Sequence, residues 1–270
     1  MLRFLTAGES HGVCLTAIVD GLPAGLEVDL EAINRELRRR QGGYGRGTRM
    51  EIERDQAEIL GGLLYGRTTG APLALQIENK DWVNWRRRWS SRSLPKVTVP
   101  RPGHADYAGM AKYKLQDARL IAERASARET AVRVAVGALA RQLLARFGTA
   151  VGSYVIEIGT TAAEIPPLPH DELWALAEAS PTRCPDEQAA ASMVAEIDEV
   201  RLAGDSLGGV FAVTATGVPV GLGSHAQWDR RLDAQLARAV LSIPAVKGVE
   251  IGPAFENARK RGTEVHDAFA

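Results

Sequence analysis

The spacing of apolar residues alternates along the chain between strand-like runs and helical stripes. Residues 13–19, VCLTAIV, form a short apolar run that predicts a buried strand. A turn containing Gly21, Pro23 and Gly25 follows, then a helix from about Asp29, whose side chain can cap it, to Arg40. Residues 48–54 alternate as a strand, and 72–78 predict another. From Met110 to Phe147 the spacing is helical, with Val132, Val134, Val136, Leu139, Leu143 and Leu144 making an apolar stripe before Gly148 stops it. The pattern then predicts a strand at 151–158, a helix near 186–200, a strand at 209–216, a helix at 229–242 and a strand at 246–251. The proline-bearing segments 164–169 and 180–186 read as loops flanking a short helix.

Such alternation predicts an α+β fold with sheets packed against helices. It also contains an echo: GVCLTAIVDGLPAGL at 12–26 returns as GVFAVTATGVPVGL at 209–222. Each copy precedes a helix with an arginine-leucine pattern, NRELRRR and DRRLDAQLAR. Pseudo-symmetric strand–turn–helix units about one sheet system, in a single compact domain over residues 1–270, are the expectation.

Composition narrows the setting. With 270 residues, 45% of them hydrophobic, the chain can bury a sizeable core, which excludes a disordered or disulfide-scaffold protein. Cys14 and Cys184 sit in no CxxC pair, so a reducing cytoplasmic setting is expected. No secretory leader is expected at the N-terminus. No apolar run approaches the roughly 18 residues of a membrane span. The five histidines show no paired ligand spacing, so no metal is expected.

Charge changes the picture by its placement. The formal net charge is zero, yet residues 1–130 carry 21 basic and 16 acidic side chains, and 27 of the 33 basic residues are Arg. Arginine suits sites where a planar fork grips phosphate or carboxylate. RRRQGGYGRGTR at 38–49 combines five arginines with glycines that let backbone N–H groups approach an anion. Read alone, it suits an anion-binding loop, a solvated basic loop or a nucleic-acid contact. WVNWRRRWSSR at 82–92 could stack on bases, grip a flavin ring or meet a subunit neighbour. The pI near 7.0 argues against a dedicated nucleic-acid binder.

Three further segments carry candidate chemistry. GESHG at 8–12 permits a tight turn exposing Ser10 and His11, and histidine suits proton transfer near neutral pH. RPGHAD at 101–106 places His104 after a Pro-Gly turn beside Arg101 and Asp106. ERASARET at 123–130 sets small residues between Arg124 and Arg128, leaving room for a ligand at a helix start.

In their order and spacing, GESHG, RRRQGGYGRGTRMEIERD, GRTTGAPLALQIENKDW, RPGHADYAGMAKY, RASARETAVRVAVGALA and SIPAVKGVEIG resemble the chorismate synthase family along nearly the whole chain. The resemblance implies a lyase that eliminates phosphate and a ring hydrogen from 5-enolpyruvylshikimate 3-phosphate to give chorismate, closing the shikimate pathway. It implies a need for reduced FMN, with NADP(H) as a flavin reductant, and a cytoplasmic homotetramer. Residue by residue, it implies His11 as the acid near the departing phosphate with Ser10 beside it, and His104 by the flavin. Arg46 and Arg49 would line the anionic substrate pocket, and Arg40 and Arg46 match positions associated with NADP. Arg124, Ala125, Ser126 and Arg128 match a flavin-contacting segment. Pro244 and Ala245 match another, where many relatives have Asn in place of Pro244. Family members continue beyond the position of Ala270 into segments that complete the flavin site, including an aspartate that assists proton removal. A chain ending at VHDAFA is therefore expected to lack part of that site and to bind flavin poorly.

Overall fold

The computed structural model describes residues 2–47, 49–91 and 94–267, with the backbone alone at positions 49 and 51. The chain divides into two compact units, Met1–Val218 and Pro219–Ala270.

The first unit opens with β1 (Arg3–Ala7), β2 (Cys14–Asp20), α1 (Leu30–Gln41) and a single helical turn, α2 (Arg49–Ile52). Next come β3 (Ala57–Gly61), the small hairpin β4 (Leu63–Leu64) and β5 (Arg67–Thr68), and β6 (Leu73–Glu78). A four-stranded antiparallel sheet runs β1-β2-β6-β3. Leu15, Ala17 and Val19 of β2 and Leu73, Leu75 and Ile77 of β6 point to one face and are buried. There they meet Ile33 and Leu37 of α1 and, from α6 (Thr130–Ala145), Val132, Val136 and Leu139. Each such aliphatic side chain contributes about 1.5–3 kcal/mol on burial. Asp29 caps α1, its carboxylate accepting from the Ala32 N–H at 3.1 Å.

Before α6 come α3 (Trp82–Ser91), α4 (Asp106–Tyr113) and α5 (Arg119–Arg124). Beyond α6, β7 (Ala150–Ile158) is flanked by β8 (Thr161–Ala162) and β9 (Gly209–Thr216) in a second antiparallel sheet. Between β8 and β9 lie α7 (His170–Ala179) and α8 (Glu187–Leu202). Met193 and Cys184 are buried there against Val155 and Ile158.

The second unit carries α9 (Leu232–Leu241) and the short α10 (Ala254–Asn257), with no strand among its described residues. The expected strand at 246–251 is open chain there, since no strand among the unit's described residues offers its N–H and C=O groups a ladder.

The α+β class stands, and the echoed stretches are both strands followed in sequence by a helix. They lie in separate sheets, β2 inside the first and β9 at an edge of the second, rather than in one sheet system. Residues 49–54 are not a strand, and position 48 lies outside the described residues. Burial does alternate along 53–57, but the inward residues are Glu53, Asp55 and Ala57, while Ile52 is exposed. Carboxylates that face an interior arginine invert the expected apolar-in pattern. The helical stretch from Met110 is broken where Lys114 enters the left-handed region (φ 53°) and where Ser126 turns extended to cap the Arg128 N–H. Trp82, Trp85 and Trp89 lie on a helix, half-buried, with Arg86, Arg87 and Arg88 exposed between them.

Candidate active site

The GESHG turn joins β1 to β2, and its geometry requires glycine at its start. Gly8 has φ +107°, and a Cβ there would stand 2.3 Å from the Cys14 carbonyl oxygen. The Gly12 N–H closes the turn on Glu9 O at 3.1 Å. Beneath it, the Asn79 side-chain amide donates to Glu9 O at 3.0 Å and Gly12 O at 2.9 Å, so one buried group brackets Ser10 and His11.

Asn79 is held in turn. Its Oδ1 accepts from Arg128 Nε at 2.9 Å, and Arg128 Nη1 donates to Asp55 at 2.7 and 2.8 Å. Glu53 Oε2 lies 3.4 Å from Arg128 Nη2 and accepts from the Lys80 N–H. Arg40 reaches Asp55 at 3.5 Å while donating to Thr130 Oγ1 and to Ala127 O. Buried charges are tolerable only when paired in this way.

The C-terminal end of α5 docks on the same turn. The Ser10 N–H donates to Glu123 O at 3.1 Å, and the His11 N–H donates to Glu123 Oε2 at 2.8 Å. The imidazole Nδ1 lies 2.8 Å from Glu123 Oε1. Ser126 Oγ donates to Ser10 Oγ at 3.0 Å. Arg124 donates to Thr6 O at 3.0 Å and to Gly8 O at 3.4 Å. From α3, the Trp85 ring packs on His11 with centroids 4.4 Å apart and planes tilted by 42°. Trp85 is steadied by its Nε1–H bond to Asp81 Oδ2. Three separated segments thus gather a histidine, a carboxylate, two serine hydroxyls and an aromatic face, with Arg124 alongside.

The arrangement has known counterparts. A family model described as chorismate synthase matches residues 2–270. The chain belongs to the chorismate synthase family. It is 57% identical to the chorismate synthase of Symbiobacterium thermophilum, over 98% of this chain and 71% of that relative. It is 56% identical to that of Geobacter metallireducens, over 99% of this chain and 69% of the relative. A solved structure titled Crystal Structure of Chorismate Synthase superposes with a TM-score of 0.84 at 47% identity, covering 99% of this chain and 74% of that one. The chain is accordingly an enzyme, a lyase of the shikimate pathway in aromatic biosynthesis.

Of the residues that chorismate synthase motifs single out, Ser10, His11, Arg124 and Ser126 are brought together, with Ala125 exposed between the last two. Arg128 belongs to the same cluster from below, its guanidinium buried on Asp55 and Asn79. His104 is exposed on the loop before α4, with Nδ1 2.9 Å from Pro102 O, and its hydrogen bond stays within that loop. That loop is braced by Arg101, whose backbone N–H and side chain both donate to Asp106. The Arg101 bond foremost lowers the Asp106 carboxyl to about 2. Arg46 donates from Nε to Gly42 O. Its side chain reaches solvent, yet the protein packed about it first, and the Arg183 charge second, lower its pKa. The side chain of Arg49 lies outside the described residues. Pro244 and Ala245 form an exposed turn after α9 in the second unit, with Ala245 in the left-handed region at φ 69°.

Sequence reading missed Glu123, Asn79 and Asp55. Each lies within a quoted segment, Asp55 at the end of RRRQGGYGRGTRMEIERD, Asn79 in GRTTGAPLALQIENKDW and Glu123 at the head of ERASARET, but none shows a local periodicity, because each acts on a partner 49 to 112 positions away. Among the described residues, no helix is long and apolar enough to cross a membrane.

Proposed function

We propose that the chain catalyses the 1,4-anti elimination of phosphate and a ring hydrogen from 5-enolpyruvylshikimate 3-phosphate, giving chorismate, with reduced FMN as cofactor. The observation that carries this reading is the docking of the GESHG turn onto the start of the RASARET segment through Ser10, His11, Glu123 and Ser126. It sets an acid–base histidine next to hydroxyl donors and a cation, as expulsion of an anionic leaving group demands.

The donor set also suits a flavin mononucleotide, which presents a flat ring and an anionic tail. Arg124, half of whose side chain is exposed, offers charge, Ser126 offers a hydroxyl, and His104 stands exposed on a braced loop. Arg124, Ala125, Ser126 and His104 of the first unit would hold it. The family resemblance assigns further flavin contacts to Ala245 and to the backbone of Pro244, which has no side-chain amide to offer. When bound, reduced FMN supplies transient electron density to the eliminating ring without net redox change.

The protein's own part is binding, orientation and proton transfer. Arg46 and Arg49 grip the carboxylates and phosphate of the substrate. His11 protonates the departing phosphate, and Ser10 lies beside it as a hydroxyl partner. Arg128 acts from below by holding Asn79 and through it the turn. Arg40 is committed to Thr130, Ala127 and Asp55, so direct contact with NADP(H) falls to Arg46. A cytoplasmic homotetramer of chains that each act as one domain completes the reading, and family membership supports it.

An anaerobic assay with 5-enolpyruvylshikimate 3-phosphate and chemically reduced FMN tests this. Equimolar chorismate and phosphate are expected, with a change in the flavin spectrum when substrate is added. Absence of both product and spectral change would overturn it.

A further inference from the structure

We propose that Glu123 is a positioning residue for the elimination: its carboxylate fixes His11 with hydrogen on Nδ1 and so makes Nε2 the nitrogen that delivers the proton to the leaving phosphate. The inference rests on the reading of His11 as the acid, and it assigns a role to a residue outside the family motifs quoted for the site.

The geometry is that of a two-point clamp. Glu123 Oε2 accepts from the His11 backbone N–H, and Oε1 meets Nδ1, both at 2.8 Å. An ionised carboxylate has no hydrogen to give, so the ring nitrogen facing it must carry one. The backbone bond ties the carboxylate to the same residue whose ring it orients, so a shift of the turn moves both together. Trp85 covers the imidazole at 4.4 Å and hinders rotation of the ring away from the carboxylate. The clamp is buried on the Glu123 side, where 8% of the side chain is exposed, and opens on the His11 side, where 27% is.

The proton inventory then follows. The imidazolium carries hydrogen on both nitrogens, and the carboxylate stabilises that charge. As the C–O bond breaks, its electron pair leaves with phosphate, the Nε2–H bond breaks, and the proton passes to a phosphate oxygen. The neutral ring that remains is the Nδ1–H tautomer, which Glu123 already holds. No reorientation is needed between the two states, which is the value of a preorganised acid.

Glu123→Gln tests this with nearly unchanged shape. Its amide oxygen can keep the backbone N–H bond, but its NH2 group must then point at Nδ1 and demand a lone pair there. The neutral ring is forced to the Nε2–H tautomer, and the imidazolium faces a donor instead of an acceptor. Turnover is expected to fall about 10²–10⁴-fold, the range for loss of general acid catalysis, with KM for the substrate and the melting temperature nearly unchanged. Nitrogen-15 NMR of the full chain labelled at histidine, recorded where His11 is neutral, reads the tautomer independently of activity. Hydrogen on Nδ1 in the wild type and on Nε2 in Glu123→Gln is the expected result. Hydrogen on Nε2 in the wild type would overturn the proposal whether or not the variant folds, as would wild-type turnover in Glu123→Gln. Full turnover in His11→Ala would instead remove the reading of His11 as the acid, while the tautomer measurement still reports what Glu123 does to the ring.

Discussion

Nη1 of Arg128 stands 2.7 and 2.8 Å from the two carboxylate oxygens of Asp55, with 2% and none of the respective side chains reaching solvent. The pair spans 73 positions of sequence, and through Asn79 it holds up the turn that carries His11. Desolvating both groups offsets much of their attraction, so the pair is worth far less than its partners lose when separated. Asp55→Ala is expected to cost about 3–5 kcal/mol in urea unfolding, because it leaves a buried guanidinium with only the longer 3.4 Å contact to a carboxylate, that of Glu53. Replacing both partners, as Asp55→Leu with Arg128→Met, is expected to cost less than the sum of the two single changes, although Glu53 and Asn79 still lose their bonds to Arg128. Simple additivity of the two changes would refute this account.

Gly8 and Gly25 make a controlled comparison. Both have positive φ, +107° and +85°, but a Cβ on Gly8 would strike Cys14 O and Leu15 Cα at 2.3 and 2.9 Å, whereas Gly25 has nothing within 4 Å. Gly25→Ala should cost only the left-handed strain, about 1–2 kcal/mol. Gly8→Ala must also displace backbone and should destabilise more, with a marked loss of turnover as the His11 turn moves. Thermal melting and the anaerobic assay on both variants decide it, and equal behaviour of the two would contradict the steric argument.

The brace on the His104 loop is pH-dependent. Asp106, buried and bonded by Arg101, titrates near 2 in the folded chain against 3.8 ordinarily. A carboxyl with a lowered folded pKa stabilises fully above the ordinary value and loses that contribution as pH falls through the folded one. The Arg101 amide, which donates to Asp106, should therefore lose protection from hydrogen exchange between about pH 4 and 2. Asp106→Asn should show weaker protection of the Arg101 amide at neutral pH, relative to its intrinsic exchange rate, and little further loss of protection on acidification. Wild-type protection of that amide in the variant at neutral pH would count against the brace.

Much of the framework is legible in sequence because its causes are local. The apolar run at 13–19, the Asp29 cap and the period of 151–158 and 209–216 each depend on neighbours a few positions away, and these four elements stand within a residue or two of expectation. Where a distant charge intervened, local reading failed: Glu53 and Asp55 face inward because Arg128 waits there, so 49–54 is no strand.

The sequence by itself determined the α+β class, the main strands and helices, the arginine-rich first half and the ordered motifs that mark the family. Those follow from side-chain periodicity, backbone preference and composition, which act over a few residues or over the whole chain. Only the tertiary structure decided that Glu123 clamps His11 across 112 positions, that Asn79 brackets the turn, and that Trp85 covers the imidazole. A hydrogen bond needs its partners within about 3 Å, and only the packing of β2, β6 and α6 around one core brings such distant residues that close.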